Sequence, residues 1–134
     1  MTVLLDTHAL LWWFSGGGRL SPAATETIDA ADRVLLSPVS CWEIAMLQRD
    51  GRIRLDRPIA HWIARLLDDR RSAVASLSPE AAAWAGSIDD MAFPADPADR
   101  LIYATARDLR VPLVSKDQRM HTYATRAGDV QVVW

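Results

Sequence analysis

Short apolar runs alternate along this chain with longer stretches whose apolar positions recur at helical spacing. Val3-Leu4-Leu5, Val34-Leu35-Leu36 and the segment Val111 to Val114 show no in–out alternation, which predicts strands covered on both faces. Two weaker strands are expected over 73–77 and 130–133. Between them the pattern predicts a short helix through Leu10, Leu11 and Trp12, broken at Ser15-Gly16-Gly17-Gly18. Further helices are expected from Ser21-Pro22 to about Ala31, from Ser40 to Arg49, from Pro58 to about Arg70, from Ser78-Pro79 to near Gly86, and from Asp96-Pro97 to Leu109. Several open on Ser-Pro or Asp-Pro, a capping residue followed by a proline whose missing N–H costs nothing in a first turn. Strands that alternate with helices in this way indicate one α/β domain over residues 1–134, with a parallel sheet between helical layers. No repeat or linker interrupts it.

Composition adds exclusions. Half of the 134 residues are hydrophobic and 24% are charged, as in a folded globular chain. No apolar run approaches the roughly 20 residues that span a bilayer, and the opening Met1 to Asp6 lacks the basic start of a signal peptide. The lone Cys41 excludes an internal disulfide, and no Cys/His cluster has zinc-ligand spacing. A cytoplasmic location without membrane attachment is the expectation. The net charge of −2 argues against nucleic-acid binding by bulk positive charge, so an RNA-acting protein of this composition must supply cations locally. Among the acids, fourteen Asp stand against three Glu, a bias toward caps, turns and metal sites.

Four carboxylates stand out, and each has an ordinary structural explanation. Asp6 can cap the helix after the first strand, and Asp117 can cap the segment Gln118-Arg119-Met120. Ser40 and Glu43 have the spacing of a capping box. Asp96-Pro97-Ala98-Asp99 offers a cap, a first-turn proline and a carboxylate facing the helix dipole. Together they say more, because all four follow the carboxyl end of a strand or begin a helix near one. That edge of an open parallel sheet is where ligands bind. Four acids gathered there repel one another unless a cation lies between them. Oxygen donors of this kind suit one or two Mg²⁺ ions (Mn²⁺ being the alternative), which keep several waters and take further ligands from substrate phosphate.

The segments Asp6-Thr7-His8-Ala9-Leu10-Leu11-Trp12, Ser40-Cys41-Trp42-Glu43-Ile44-Ala45, Asp96 to Ala106 and Pro112-Leu113-Val114-Ser115-Lys116-Asp117 resemble, in order and spacing, the PIN domain. Within that family the chain is similar to the VapC toxins of bacterial VapBC toxin–antitoxin pairs. The resemblance implies a three-layer α/β/α fold with five parallel strands in the order 3-2-1-4-5. It assigns Asp6, Glu43, Asp99 and Asp117 to the family's acidic quartet, with Ser115 in support; Asp96 lies outside the quartet and is expected to cap its helix and support the site. It further implies a Mg²⁺-dependent ribonuclease that leaves 5′-phosphate and 3′-hydroxyl ends, a two-fold homodimer, and a VapB-like antitoxin as partner. Leu47, in place of a frequent Lys, and Ala98, in place of a frequent Phe, depart from the pattern without removing a carboxylate.

The helices expected at 40–49 and 58–70 form a candidate antitoxin groove, with the apolar stripe Ile59, Trp62, Ile63, Leu66 and Leu67 in it and Trp62 and Leu66 as anchors; burial of the stripe in the chain's own core or in a homodimer is the alternative. The isolated His8, His61 and His121 read as structural, as do Trp12 and Trp13. Arg100 is expected to pair locally, with a phosphate contact as the alternative. Lys116, Arg119 and Arg126 each read as solvated surface or as part of an RNA path. Two rivals differ in class. A catalytically silent PIN-like module would bind RNA or a partner without cutting, although pure binding gains nothing from four clustered acids. A receiver-like domain is suggested by Ser115-Lys116-Asp117, but its acidic pair and phosphoacceptor are not in the required places.

Overall fold

Val3, Leu4 and Leu5 are fully buried although they are consecutive, so both faces of their strand are covered. In the computed structural model, which describes all residues from Met1 to Trp134, this strand is β1 (Thr2–Leu5) at the centre of a five-stranded sheet. Its neighbours are β2 (Arg33–Leu36) and β4 (Leu113–Val114), and the edges are β3 (Ser72–Val74) and β5 (Val132–Val133). Every pairing is parallel and the order is 3-2-1-4-5, as the family resemblance implies.

Alternate strand residues feed two separate cores, which is why the sequence shows unbroken apolar runs. Val3, Leu5, Val34, Leu36 and Val114 pack beneath α1 (Thr7–Phe14), α2 (Pro22–Asp29), α3 (Pro38–Arg49) and α4 (Ile59–Leu67), meeting Leu10, Ile28, Ile44, Trp62 and Leu66. Leu4, Leu35 and Leu113 face the other way, onto Ile102 and Tyr103 of α6 (Pro97–Leu109) and Met120 of α7 (Gln118–Ala127). The helix α5 (Pro79–Ser87) packs on α6 through Ala81, Ala85 and Ala104, small residues that permit close approach. No helix is long and apolar enough to cross a membrane.

The structure corrects three expectations. Trp62 and Leu66 are 3% and 0% exposed within the first core, so these two anchors are taken up by the chain's own core, while Ile59 and Ile63 are half-buried and Leu67 stays exposed. The helix α3 begins earlier than expected: Ser37 caps it by accepting the Val39 amide, so Ser40 lies inside the helix and the Ser40–Glu43 capping box does not form. Finally, α7 is a full helix where only a capped segment was expected. Its sole buried residues are Met120 and Ala124, too few apolar positions for periodicity to reveal it.

Arg100 is local, as expected, but far more buried than a surface pair. It is 9% exposed, pairs with Asp90, and donates to the carbonyls of Ala85, Ile88, Phe93 and Ala95. It therefore fastens the 88–96 loop onto the start of α6. Replacing it with methionine leaves those carbonyls without their donor while keeping much of the side-chain volume. Arg100→Met is expected to cost about 3 kcal/mol in chemical denaturation, since a buried charge-assisted network is lost. Hydrogen exchange should rise first across residues 88–96.

Candidate functional site

Parallel pairing of β1 with β4 sets the site. Leu5 lies opposite Val114, and the Asp6 amide donates to the Val114 carbonyl at 3.0 Å, so the two chains leave the sheet side by side. Asp6 then caps α1, accepting the Ala9 amide at 2.9 Å. Asp96 caps α6 by accepting the Asp99 amide at 2.9 Å, and Asp117 caps α7 by accepting the Arg119 amide at 2.8 Å. The capping readings of these three Asp residues are thus correct, and they are also what carries the carboxylates to one place. Three helix N-termini converge there, and their partial positive charge favours anions.

Glu43 reaches the same place without capping anything. Thr7 donates to the buried Ser40 hydroxyl at 3.1 Å, which ties α3 to α1 and holds Glu43 across from Asp6. Asp6, Glu43, Asp96, Asp99 and Asp117 line one cleft of about 520 Å³, completed by His8, Trp12, Lys116 and Arg119. Ser115 is fully buried beneath it. Its hydroxyl accepts the Asp117 amide at 3.0 Å and also favours the ionised form of Asp6 by hydrogen bonding. All six acidic and supporting residues expected from the sequence therefore meet here.

Four further residues belong to the cleft. His8 and Trp12, structural residues by the sequence pattern, both face it, with ring centroids 5.6 Å apart. Their spacing of four residues on α1, starting two after Asp6, was the available signal. Lys116 lies 5.9 Å from the Trp12 ring centroid, and Arg119 faces the acids directly. Arg126, grouped with them from sequence, is not part of the cleft. His121 is structural, bonded to the Ser115 carbonyl at 2.7 Å.

The electrostatics are those of a site with too much negative charge. Burial, followed by the charges of Asp96, Asp117, Glu43 and Asp6, pushes Asp99 up to about 8. Burial also raises Asp6, despite donors from Ser115 and Ala9. Asp117 behaves oppositely: burial acts to raise it, but the Arg119 side chain and amide outweigh burial and hold it below the usual carboxylate range. Arg119 grips Asp117 through contacts of 2.8 and 3.1 Å, approaches Asp99 at 3.4 Å, and donates to the Pro94 carbonyl at 3.1 Å.

A guanidinium thus stands between two of the acids, where a cation is needed. The donors are all hard oxygens, but no three Asp, Glu, His or Cys side chains converge tightly enough to enclose an ion unaided. That arrangement fits Mg²⁺ or Mn²⁺ held by one or two carboxylates and otherwise by water and substrate oxygen, and it does not fit a closed structural site. A larger cavity of about 720 Å³ lies at the opposite end of β4 and β5, but of its two acids Asp129 is engaged by Tyr103 and Arg107 and Asp108 accepts from the Ser78 hydroxyl. Chemistry, not size, selects the acidic cleft.

Comparison with known proteins agrees with this geometry. Residues 3–125 match the PIN domain family model. Ribonuclease VapC22 of Mycobacterium tuberculosis is 40% identical over 122 residues, covering 91% of this chain and 92% of that protein. Among solved structures, VapBC2 from Rickettsia felis, bound to a DNA fragment from its promoter, superposes with a TM-score of 0.64 at 13% identity, covering 98% and 97% of the two chains. VapC20 of Mycobacterium tuberculosis gives 0.64 at 17% identity, covering 97% and 98%. The chain belongs to the PIN-domain family, on its VapC branch.

The raised Asp99 carboxyl has a sign that can be tested. The folded state binds its proton more tightly than the unfolded chain, where the value is about 3.8. Its contribution to stability is therefore present below about pH 4 and is lost as pH rises toward 8. Asp6 acts in the same direction. In chelator, Asp99→Asn should match wild type near pH 4 and exceed it by about 3 kcal/mol near pH 8. Thermal or urea denaturation across that range checks this, and parallel pH profiles for the two proteins would refute it.

Proposed function

We propose that this protein is a metal-dependent ribonuclease acting as the toxin of a VapBC-type pair, hydrolysing RNA phosphodiester bonds in the cytoplasm under control of a VapB-like antitoxin. The observation that carries this reading is the gathering of Asp6, Glu43, Asp99 and Asp117 in one cleft whose negative charge exceeds what the chain neutralises. The 40% identity to a ribonuclease supports it. A homodimer is part of the proposal, by analogy with the VapC group.

Asp6 and Asp99 are the residues best placed to hold Mg²⁺ or Mn²⁺, with Glu43 and Asp117 facing the same space. When bound, such an ion lowers the pKa of a water and offsets charge on the phosphate. Glu43 is neither a helix cap nor an ion-pair partner, so its carboxylate is free to orient the attacking water and accept its proton. Asp117 is held ionised by Arg119 and keeps the cleft anionic at neutral pH. Arg119, in turn, lines the same cleft and offsets part of its negative charge through Asp117 and Asp99. Attack of water on phosphorus breaks the P–O3′ bond, giving a 5′-phosphate and a 3′-hydroxyl.

Asp6→Asn and Asp99→Asn should each reduce RNA cleavage at least about a hundredfold while leaving the fold intact. Chelation should do the same to wild type, and added Mg²⁺ or Mn²⁺ should restore it. Mapping of RNA ends after brief expression of wild type and Asp99→Asn reports both activity and end chemistry. Undiminished cleavage in EDTA would refute the mechanism.

A further inference from the structure

Beside the acidic cleft, and sharing Trp12 with it, runs a second groove of about 500 Å³. Its charged lining is Arg19, Arg52 and Arg54, with no acid among the residues around it. The seven ion pairs of the chain engage other residues, so these three guanidinium groups have no carboxylate partner. Other arginines of the chain also lack an ion-pair partner; what sets these three apart is that they line one groove that contains no acid.

The local chain explains how the charges are presented. Gly51, at φ 72, turns the chain out of α3, and the segment 52–55 then alternates. Ile53 and Leu55 pack against the first core while Arg52 and Arg54 are exposed. Arg19 comes from the glycine-rich break after α1 and meets them across the groove. Trp12 stands at the junction, half-buried, with Trp134 and His8 rings at 5.5 and 5.6 Å and Lys116 over its face at 5.9 Å.

We propose that this groove is the path of the RNA strand flanking the scissile phosphate, with Arg19, Arg52 and Arg54 holding backbone phosphates and Trp12 stacking against a base at the turn into the acidic cleft. The inference rests on the nuclease reading and adds to it a source of attraction for the strand outside the acidic cleft. Single-stranded nucleic acid is bound by this combination of a cationic track and an aromatic platform, and the contacts carry little sequence information. Trp12 borders both the groove and the cleft, so a strand passing over it would lead from the arginines toward the carboxylates.

The test is fluorescence anisotropy with a labelled single-stranded RNA of about 12 nucleotides, in the Asp99→Asn protein so that the strand stays intact. Replacing Arg19, Arg52 and Arg54 together by alanine should weaken binding by about ten- to a hundredfold at moderate salt. It should also lower the slope of log affinity against log salt by about 2, given roughly 0.7 per lost phosphate contact. The triple lysine variant should keep most of the slope, and Trp12→Leu should lower affinity with the slope unchanged. Because the arginines are exposed, thermal stability should not move. Unchanged affinity and slope in the alanine variant would overturn the inference and leave the groove to a protein partner. If the Asp99→Asn protein with its arginines intact binds no RNA, the nuclease reading falls as well.

Discussion

The constraint on which this structure turns is the packing of like charge at the carboxyl edge of β1 and β4. Parallel pairing brings Asp6 and Ser115 out of the sheet abreast, and the helices that follow must start there. Their caps are acids, so the connections that close the fold also assemble the site. The partial positive charge of three helix N-termini offsets some of the repulsion, and Arg119 offsets more. Even so Asp6 and Asp99 are held above the ordinary carboxylate range. The unneutralised charge opposes folding at this edge, and on the proposed reading a cation bound there would stabilise the native state by linkage.

The remainder of the chain compensates and positions. Two apolar layers, each fed by alternate residues of the same short strands, fix β1 rigidly on both sides. Neighbouring residues on α6 divide the tasks: Asp99 faces the cleft, while Arg100, about 100° further round the helix, turns under the 88–96 loop and fastens it. Asp96 belongs to the end of that loop. The geometry of Asp99 thus depends on a buried arginine that touches no part of the cleft.

Much of this was legible in the sequence, for identifiable reasons. Strands buried on both faces leave unbroken apolar runs, and Ser-Pro and Asp-Pro pairs mark helix starts, so β1, β2, α2, α5 and α6 could be placed closely. The carboxylates were visible because their type and position carry the chemistry. What failed was whatever depends on a partner distant in sequence. Ser40 looked like a cap, but Ser37 took that role one turn earlier and left Ser40 to bond Thr7. The stripe of α4 looked like a surplus surface until the core took up its anchors Trp62 and Leu66. Helix α7, which holds Arg119 against the acids, packs through few apolar residues and so lacks a periodic signature. His8 and Trp12 share one face with Asp6 by helical geometry, but nothing local says that the face is a cleft.

The overall acidity of the chain and a polyanionic substrate are reconciled by scale. At physiological salt, charges more than about 8 Å apart are largely screened, so what a polyanion would meet is the local arrangement and not the net charge of −2. Three unpaired arginines beside Trp12 present one sign, and the quartet beyond it presents the other. On the proposed reading a phosphate would be attracted up to the edge of the cleft and repelled within it, unless a dication reversed the sign there. That separation bears on the choice between a silent binding module and a nuclease. A module evolved only to hold RNA would extend the arginines through the cleft, whereas five acids at the end of a cationic groove oppose binding and are intelligible as a place for metal and chemistry.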